Sequence, residues 1–427
     1  MDADLGWGVR VLIHHDDLFD PANPGTWKAI TKEALSRSYV HGVSLFVDWK
    51  DLQPNRNTPR SVSVAYIGEL LNRLDACLAA SGRAPIPVMI HLEPSYLPDW
   101  AKLPPLSAGS SPQHRVNMSI TNSAGTGLNV ISVDPATLGN PDDSYDIPYG
   151  HTAVFGQIVK NLRSIIASGL GTYDGAGTRV PFVQVIAPSM THNNMNVPTE
   201  AGFTSSTFDP NWDNSLPGAD PIGGWTNNKY RDAFVAAAED MANYPAFTNR
   251  TWVANFTSNN LISLQSQIEV FYKLRQNHPK GNKGIIVRQE NLATNYGGGK
   301  SWRDSYNDST STFKSHYWVM NQKYHAQELF SPYILPDGSK RTLSWKNLTN
   351  YPDSPYPGDA SSRLQSNIVA SNKFNELIEN AQYGSGKILW VDVWLRDLSD
   401  NAVSRFPEFG NFAYRLDSII RANAAAF

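Results

Sequence analysis

Cysteine is almost absent: Cys77 is the only one in 427 residues, so no disulfide framework can staple this chain. It falls among Leu70, Leu71, Leu74 and Leu78 at helical spacing, where a thiol behaves as a small buried hydrophobe and a poor nucleophile. Charge is sparse too. Charged residues make up 18% and the net charge is -3, with no basic block, which argues against a nucleic-acid backbone as the main ligand. No apolar run approaches the roughly 20 residues that span a bilayer. Met1-Asp2-Ala3-Asp4 also lacks the basic region and apolar run of a signal peptide. The expectation is a protein not embedded in a membrane that acts outside the cytoplasm in a mature form, with a cytoplasmic place left open. The sequons at Asn117, Asn249 and Asn347 are too common by chance to decide the compartment.

Phosphate loops, nucleophile elbows and metal motifs are missing as well. The first strand is followed by no Gly-rich phosphate loop. The nearest match to Gly-x-Ser-x-Gly, at Gly109-Ser110-Ser111-Pro112, has no preceding strand. His14, His15, Asp16 and Asp17 have no metal-ligand spacing. Gly297-Gly298-Gly299-Lys300 lacks a strand-to-helix setting and reads as a rim. No cofactor and no metal are expected.

Aromatic residues are abundant, at 11% with 12 Trp and 18 Tyr, as suits a large folded core with aromatic clefts. Strand-like and helix-like segments alternate throughout. Val9 to Ile13 precedes a helical pattern with Trp27, Ile30, Ala34 and Leu35, and Val43 to Val47 precedes one with Ile67, Leu70, Leu74 and Cys77. Pro87 to Ile90 reaches its helix, Phe155 to Ile166, after a very long loop. Val183 to Ala187 runs into the polar stretch Pro188 to Met195, and its helix carries Tyr230, Phe234, Ala237, Ala238 and Met241. Then come Trp252 to Phe256 with Leu264, Ile268 and Phe271, and Ile285 to Val287 with Phe313, Tyr317 and Met320. A weaker strand, Tyr324 to Leu329, precedes Ile368, Phe374, Leu377 and Ile378, and Ile388 to Leu395 precedes Phe412, Leu416, Ile419 and Ile420. Eight such units predict an α/β fold, a (β/α)₈ TIM barrel. It is read as one domain over residues 1–427 with long insertions after strands three, four, six and seven. A doubly wound open sheet is the competing reading, and the missing phosphate loop speaks against it.

In a barrel, alternate strand residues face the interior and catalytic groups gather at the strand C-termini. That parity selects Asp48, His91 and Glu93, Arg288 and Glu290, Glu328, and Trp390, Asp392 and Trp394. Taken singly, each carboxylate is more often an Arg partner or a helix cap. Their coincidence at strand ends suits a sugar cleft, in which indoles stack on pyranose faces and carboxylates bond hydroxyls and move protons. Trp49, Trp390 and Trp394 are the candidate platforms. A carbohydrate is the expected partner.

The runs Gly42 to Trp49 with Leu52-Gln53-Pro54, Pro87 to His91 with Leu97-Pro98-Asp99-Trp100, Asp143 to His151, and Trp390 to Trp394 resemble corresponding strands and loops of clan A retaining glycoside hydrolases. The resemblance implies a glycosidase whose acid/base follows strand four, usually as Asn-Glu, and whose nucleophile follows strand seven. Glu328 fits the nucleophile by position. At the other site the chain carries His192-Asn193-Asn194, and the amide of Asn194 cannot deliver a proton. Three explanations stand: an acid-deficient glycan binder, an acid supplied by Glu290 or Glu200, or a shifted loop alignment. Arg288, His192 and Asn193 complete the expected substrate-binding set.

Overall fold

The computed structural model describes residues 5–20, 22–55, 57–93, 98, 115–118, 128–132, 146–148, 152–186, 227–256, 264–292, 324–334, 340–344, 387–398, 414–415 and 417–422. The strands are β1 (Gly8–Ile13), β2 (Val40–Asp48), β3 (Val88–Glu93), β4 (Arg115–Met118), β5 (Leu128–Ser132), β6 (Asp146–Pro148), β7 (Phe182–Gln184), β8 (Thr251–Phe256), β9 (Ile285–Leu292), β10 (Tyr324–Ile334), β11 (Lys340–Ser344) and β12 (Lys387–Trp394). The helices are α1 (His15–Leu18), α2 (Ala29–Ser36), α3 (Trp49–Leu52), α4 (Arg60–Ala80), α5 (Thr152–Tyr173), α6 (Asn227–Met241), α7 (Pro245–Thr248) and α8 (Leu264–Asn277).

A nine-stranded sheet runs in the order β11-β10-β12-β1-β2-β3-β7-β8-β9, and β10 pairs with β9 as well as β12. Its ladders are parallel except for the β10–β11 hairpin. The sheet is curled. Phe182 on β7 and Trp390 on β12 have β1, β2 and β3 between them in strand order, which would put them roughly 19 Å apart on a flat sheet. Their ring centroids are 5.0 Å apart. Side chains of alternate parity therefore separate into a concave and a convex population.

On the convex side Val9, Val11, Ile13, Val43, Leu45, Val47, Val88, Ile90, Leu92, Val391 and Val393 join one buried cluster with Leu70, Leu74, Cys77 and Leu78 of α4 and Leu162, Ile166 and Leu170 of α5. On the concave side Met89, Phe182, Val253, Ile286, Leu389 and Trp390 form a second cluster. Trp7 closes its lower end, with ring centroids 5.4 Å from Phe182 and 6.0 Å from Trp390. The turn that inserts Trp7 depends on Gly6, at φ 73, where a Cβ would lie 2.7 Å from the His41 carbonyl oxygen. Any other residue would be strained there.

Helix α4 starts directly after Pro59 and ends in a Schellman motif. Gly82, at φ 72, donates its N–H to Ala79 O at 2.9 Å, and Arg83 donates to Leu78 O at 2.9 Å. Helices α4 and α5 approach closely because Gly169 faces Ile67, leaving no room for a Cβ there, the nearest atom being 2.7 Å away. The C-terminal helical segment is tied to the first strand through Asp417, which accepts from Val9 N–H at 3.2 Å and from His41 Nε2 at 3.0 Å. The long loop after β3 contains a three-stranded antiparallel sheet, β4-β5-β6, which the sequence pattern did not predict. Among the described residues no helix is long and apolar enough to cross a membrane.

Candidate functional site

Above the lower aromatic layer the concave face turns polar. Asp392 on β12 is fully buried and accepts three bonds, from Ser44 Oγ at 2.6 Å, Arg288 Nε at 2.6 Å and Trp390 Nε1 at 3.2 Å. Ser44 belongs to β2 and Arg288 to β9, neither adjacent to β12 in the sheet. These side chains meet across the concavity, as alternate strands do in one interior layer. Arg10 on β1 lies beside them, donating to Val43 O at 2.6 Å. Burial lowers its guanidinium to about 10 despite the opposing pull of Asp392. Gln184 on β7 is 1% exposed, and its amide has no hydrogen-bond partner among the described residues.

Several expected substrate contacts are corrected by this arrangement. Arg288 and Asp392 hold each other in a sealed ion pair beneath the strand ends. Trp390 packs among Met89, Phe182 and Ile286. Trp49 is 1% exposed, belongs to the convex cluster and donates from Nε1 to Gln53 Oε1 at 3.0 Å. Neither indole presents a face for a sugar. Trp390 keeps the concave parity of Asp392 but lies deeper, whereas Trp49, one residue past the end of β2, turns to the convex side; in both cases the apolar volume to be filled decides where the ring goes.

Nearer the C-terminal ends, His14, Phe46 and His91 form a run of rings. The His14 and Phe46 centroids are 4.3 Å apart with 5° between planes, and those of Phe46 and His91 are 4.4 Å apart with 31°. His91 is thus on the concave face as expected, 1% exposed. Asp48 ends β2 in register with Glu93 at the end of β3. Its carboxyl is buried, with Lys50 Nζ 3.6 Å from Oδ2 and no hydrogen-bond partner at Oδ1 among the described residues. Burial, reinforced by Asp51, pushes Asp48 up to about 8, overcoming Lys50; Asp51 itself is pushed up to about 6, mainly by burial. His15 Nδ1 hydrogen-bonds the Tyr66 hydroxyl beside this group. Desolvation lowers the His15 imidazole and raises the Tyr66 phenol.

Position 328 on β10 is the register partner of Asp392, and Glu290 follows Arg288 by two residues along β9. The β9–β10 register shifts beside Glu290, between the Gln327–Gln289 and Leu329–Leu292 pairs. Trp394 ends β12. His192, Asn193 and Asn194 lie outside the described residues. Among the described residues no cluster of His, Cys, Asp or Glu has the makings of a metal site.

Ser44, Gln184, Arg10, Phe46 and the His15–Tyr66 pair were missed from sequence. Ser44 and Phe46 share parity with Asp48, and Arg10 is a charge inside an apolar strand, so both signals were present. The Tyr66 contact crosses from α1 to α4 and leaves no local trace.

No family model and no curated protein sequence matches the chain. Among solved structures, the catalytic domain of a β-amylase from Paenibacillus polymyxa aligns at 10% identity over 97% of this chain and 98% of that one, with a TM-score of 0.45. A broad-specificity GH5-4 endoglucanase from an uncultured bacterium aligns at 12% identity over 98% and 94%, TM-score 0.45. A GH26 β-mannanase from Bacteroides ovatus aligns at 10% identity over 97% and 90%, TM-score 0.39.

Proposed function

We propose that this chain is a single (β/α)₈ barrel that hydrolyses a glycosidic bond in a poly- or oligosaccharide, with Glu328 as nucleophile. The closed barrel is supported by the ladders, which pass from β10 through β12, β1, β2, β3, β7 and β8 to β9 and then back to β10. The observation that carries the chemistry is the buried carboxyl of Asp48 at the C-terminal end of β2, on the face of Ser44 and Phe46 and in register with the last residue of β3, Glu93. Groups from several strand ends converge there in enzymes of this architecture. Paired carboxyl groups about 5 Å apart suffice for a retaining mechanism, one attacking the anomeric carbon and one protonating the leaving oxygen.

His91, Glu93, Asn193 and His192 are assigned to substrate hydroxyls, Asp48 to the subsite beside the scissile bond and Trp394 to a stacking platform. The polar layer of Arg288 and Asp392 is assigned to fixing the floor beneath them. A protein of this activity is placed where its polysaccharide is, outside the cytoplasm. Asn194 favours a second reading, a glycan-binding barrel that lacks a competent acid, because an amide in the acid/base position does not ionise.

A reducing-sugar assay over a panel of β-glucans, mannans, xylans and galactans separates the two. Turnover by the wild type that Glu328→Gln abolishes supports the enzyme. Turnover surviving both Glu328→Gln and Glu290→Gln sinks the assignment, and binding without turnover establishes the binder.

A further inference from the structure

We infer that Asp48 is the proton donor of the site, supplying the acid that Asn194 cannot. The inference rests on the reading of the site as a glycosidase and goes beyond it in naming a catalytic group on the second strand.

The geometry is specific. Asp48 is the last residue of β2, two residues beyond Phe46, whose ring lies against His91 on the concave face, and four beyond Ser44, which reaches Asp392. The period of two places Asp48 on that same face, at the end where substrate enters. It is 5% exposed, and its Oδ1 is buried without a hydrogen-bond partner among the described residues. A buried polar atom left unpaired is costly, and such atoms gather at sites that bind or react. A glycosidic oxygen arriving at Oδ1 would give the carboxylic acid an acceptor.

The surroundings keep the proton in place. Asp51 and Lys50 face Asp48 from α3 and Asp16 from α1, while Glu93 is its register partner on β3. Loss of solvent together with Asp51 and Asp16 outweighs Lys50, so the carboxyl is protonated at neutral pH with its midpoint near 8. This is the condition a general acid needs.

The step balances without a co-reactant other than water. As Glu328 bonds to the anomeric carbon, the bond from that carbon to the glycosidic oxygen breaks and the Asp48 proton moves to that oxygen. Asp48, now a carboxylate, takes a proton from the water that attacks the glycosyl–Glu328 ester. Hydroxide bonds to the anomeric carbon, Glu328 leaves as a carboxylate, and both groups return to their starting states.

The test compares leaving groups. 2,4-Dinitrophenyl glycosides of glucose, galactose, mannose and xylose leave without protonation, whereas the matching oligosaccharides require it. For Asp48→Asn, kcat/KM should fall about 10²- to 10⁴-fold on oligosaccharides and less than about tenfold on the dinitrophenyl glycosides. Asp48→Glu should recover part of the loss. In the wild type, which involves no folding risk, the alkaline limb of kcat/KM should lie near pH 8 on oligosaccharides and be absent on dinitrophenyl glycosides.

Equal losses on both substrate kinds, no loss on either, or an alkaline limb shared by both would overturn the role of Asp48 alone. Dinitrophenyl turnover surviving Glu328→Gln overturns the glycosidase reading of Glu328. A wild type inert on every substrate overturns both.

Discussion

Replacing Asp392 by Asn probes whether the polar layer is architecture or substrate contact. Asp392 and Arg288 are both fully buried, 2.6 Å apart at the Nε–Oδ2 contact, and the same carboxylate takes bonds from Ser44 and Trp390. Arg10, also fully buried, feels its charge. The Asn amide nearly preserves the shape but removes the negative charge, leaving two buried guanidinium groups without a counter-ion. Removing one partner of a buried pair costs about 3–5 kcal/mol, a large share of the roughly 5–15 kcal/mol that holds a domain together. Replacing both partners, as Arg288→Met with Asp392→Leu, removes the stranded charge on β9. The double variant should therefore be destabilised less than the two single losses added, with a coupling above about 2 kcal/mol. Urea unfolding followed by Trp fluorescence reads this well, since Trp390 lies within the layer. An Asp392→Asn midpoint matching the wild type, or additive single losses, would refute the argument and return Asp392 to the cleft.

Three further outcomes follow from the geometry. The folded-state value of Asp48, about 8, lies above the ordinary carboxylate value near 4, so the proton it holds contributes stability that is full below about pH 4 and lost as pH rises toward 8. Asp48→Asn keeps a neutral group there, and its stability relative to wild type should rise across that window by up to about 1.4 kcal/mol per pH unit, then level off; parallel curves would contradict this. Gly169→Ala should cost about 1–3 kcal/mol by overpacking, because the new methyl meets fully buried Ile67, whereas Gly68→Ala should cost less because it meets Tyr173, which is 45% exposed and free to swing outward; thermal melts of the two variants check the order. Cys77 is fully buried and its thiol is pushed up to about 12 by burial, so a disulfide-exchange reagent at pH 8 should react with it in urea and not in native buffer.

Most of the framework was legible because hydrophobic period and strand-end polarity are local signals. Val9–Ile13, Val43–Val47, Trp252–Phe256 and Ile388–Leu395 fall within three residues of the observed strand ends, and Phe234, Ala237, Ala238 and Met241 of α6 are buried at the expected helical spacing. Helix α5 runs further than its pattern suggested, to Tyr173, because Gly169 lies inside it as a close-approach position against Ile67 and Gly171 is carried within the helix beside open space, so neither glycine is a stop. Sheet β4-β5-β6 escaped notice because its strands are three to five residues long within a Gly- and Pro-rich loop. The helices expected at Phe313 to Met320 and Ile368 to Ile378 lie outside the described residues.

The site was harder to read. Parity put Asp48, His91, Arg288 and Asp392 on the concave face, and they are there. What parity does not carry is depth: Arg288 and Asp392 are neutralised below the strand ends, while Asp48 and His91 stand nearer the opening. Trp49 and Trp390 were drawn toward the cleft by their neighbours, yet each fills a core volume. A ring's destination depends on the side chains across the sheet, and these come from distant parts of the chain.

The most direct test of the central claim is covalent. A 2-deoxy-2-fluoro glycosyl fluoride of the sugar that the wild type cleaves should accumulate as a glycosyl ester, read by intact mass as one added sugar and by peptide mapping on the fragment containing Glu328. Label on that carboxylate, absent from Glu328→Gln, is the predicted result. Label on a different carboxylate, or none on a wild type that turns over the parent glycoside, would contradict the assignment of Glu328 as the nucleophile of a retaining barrel.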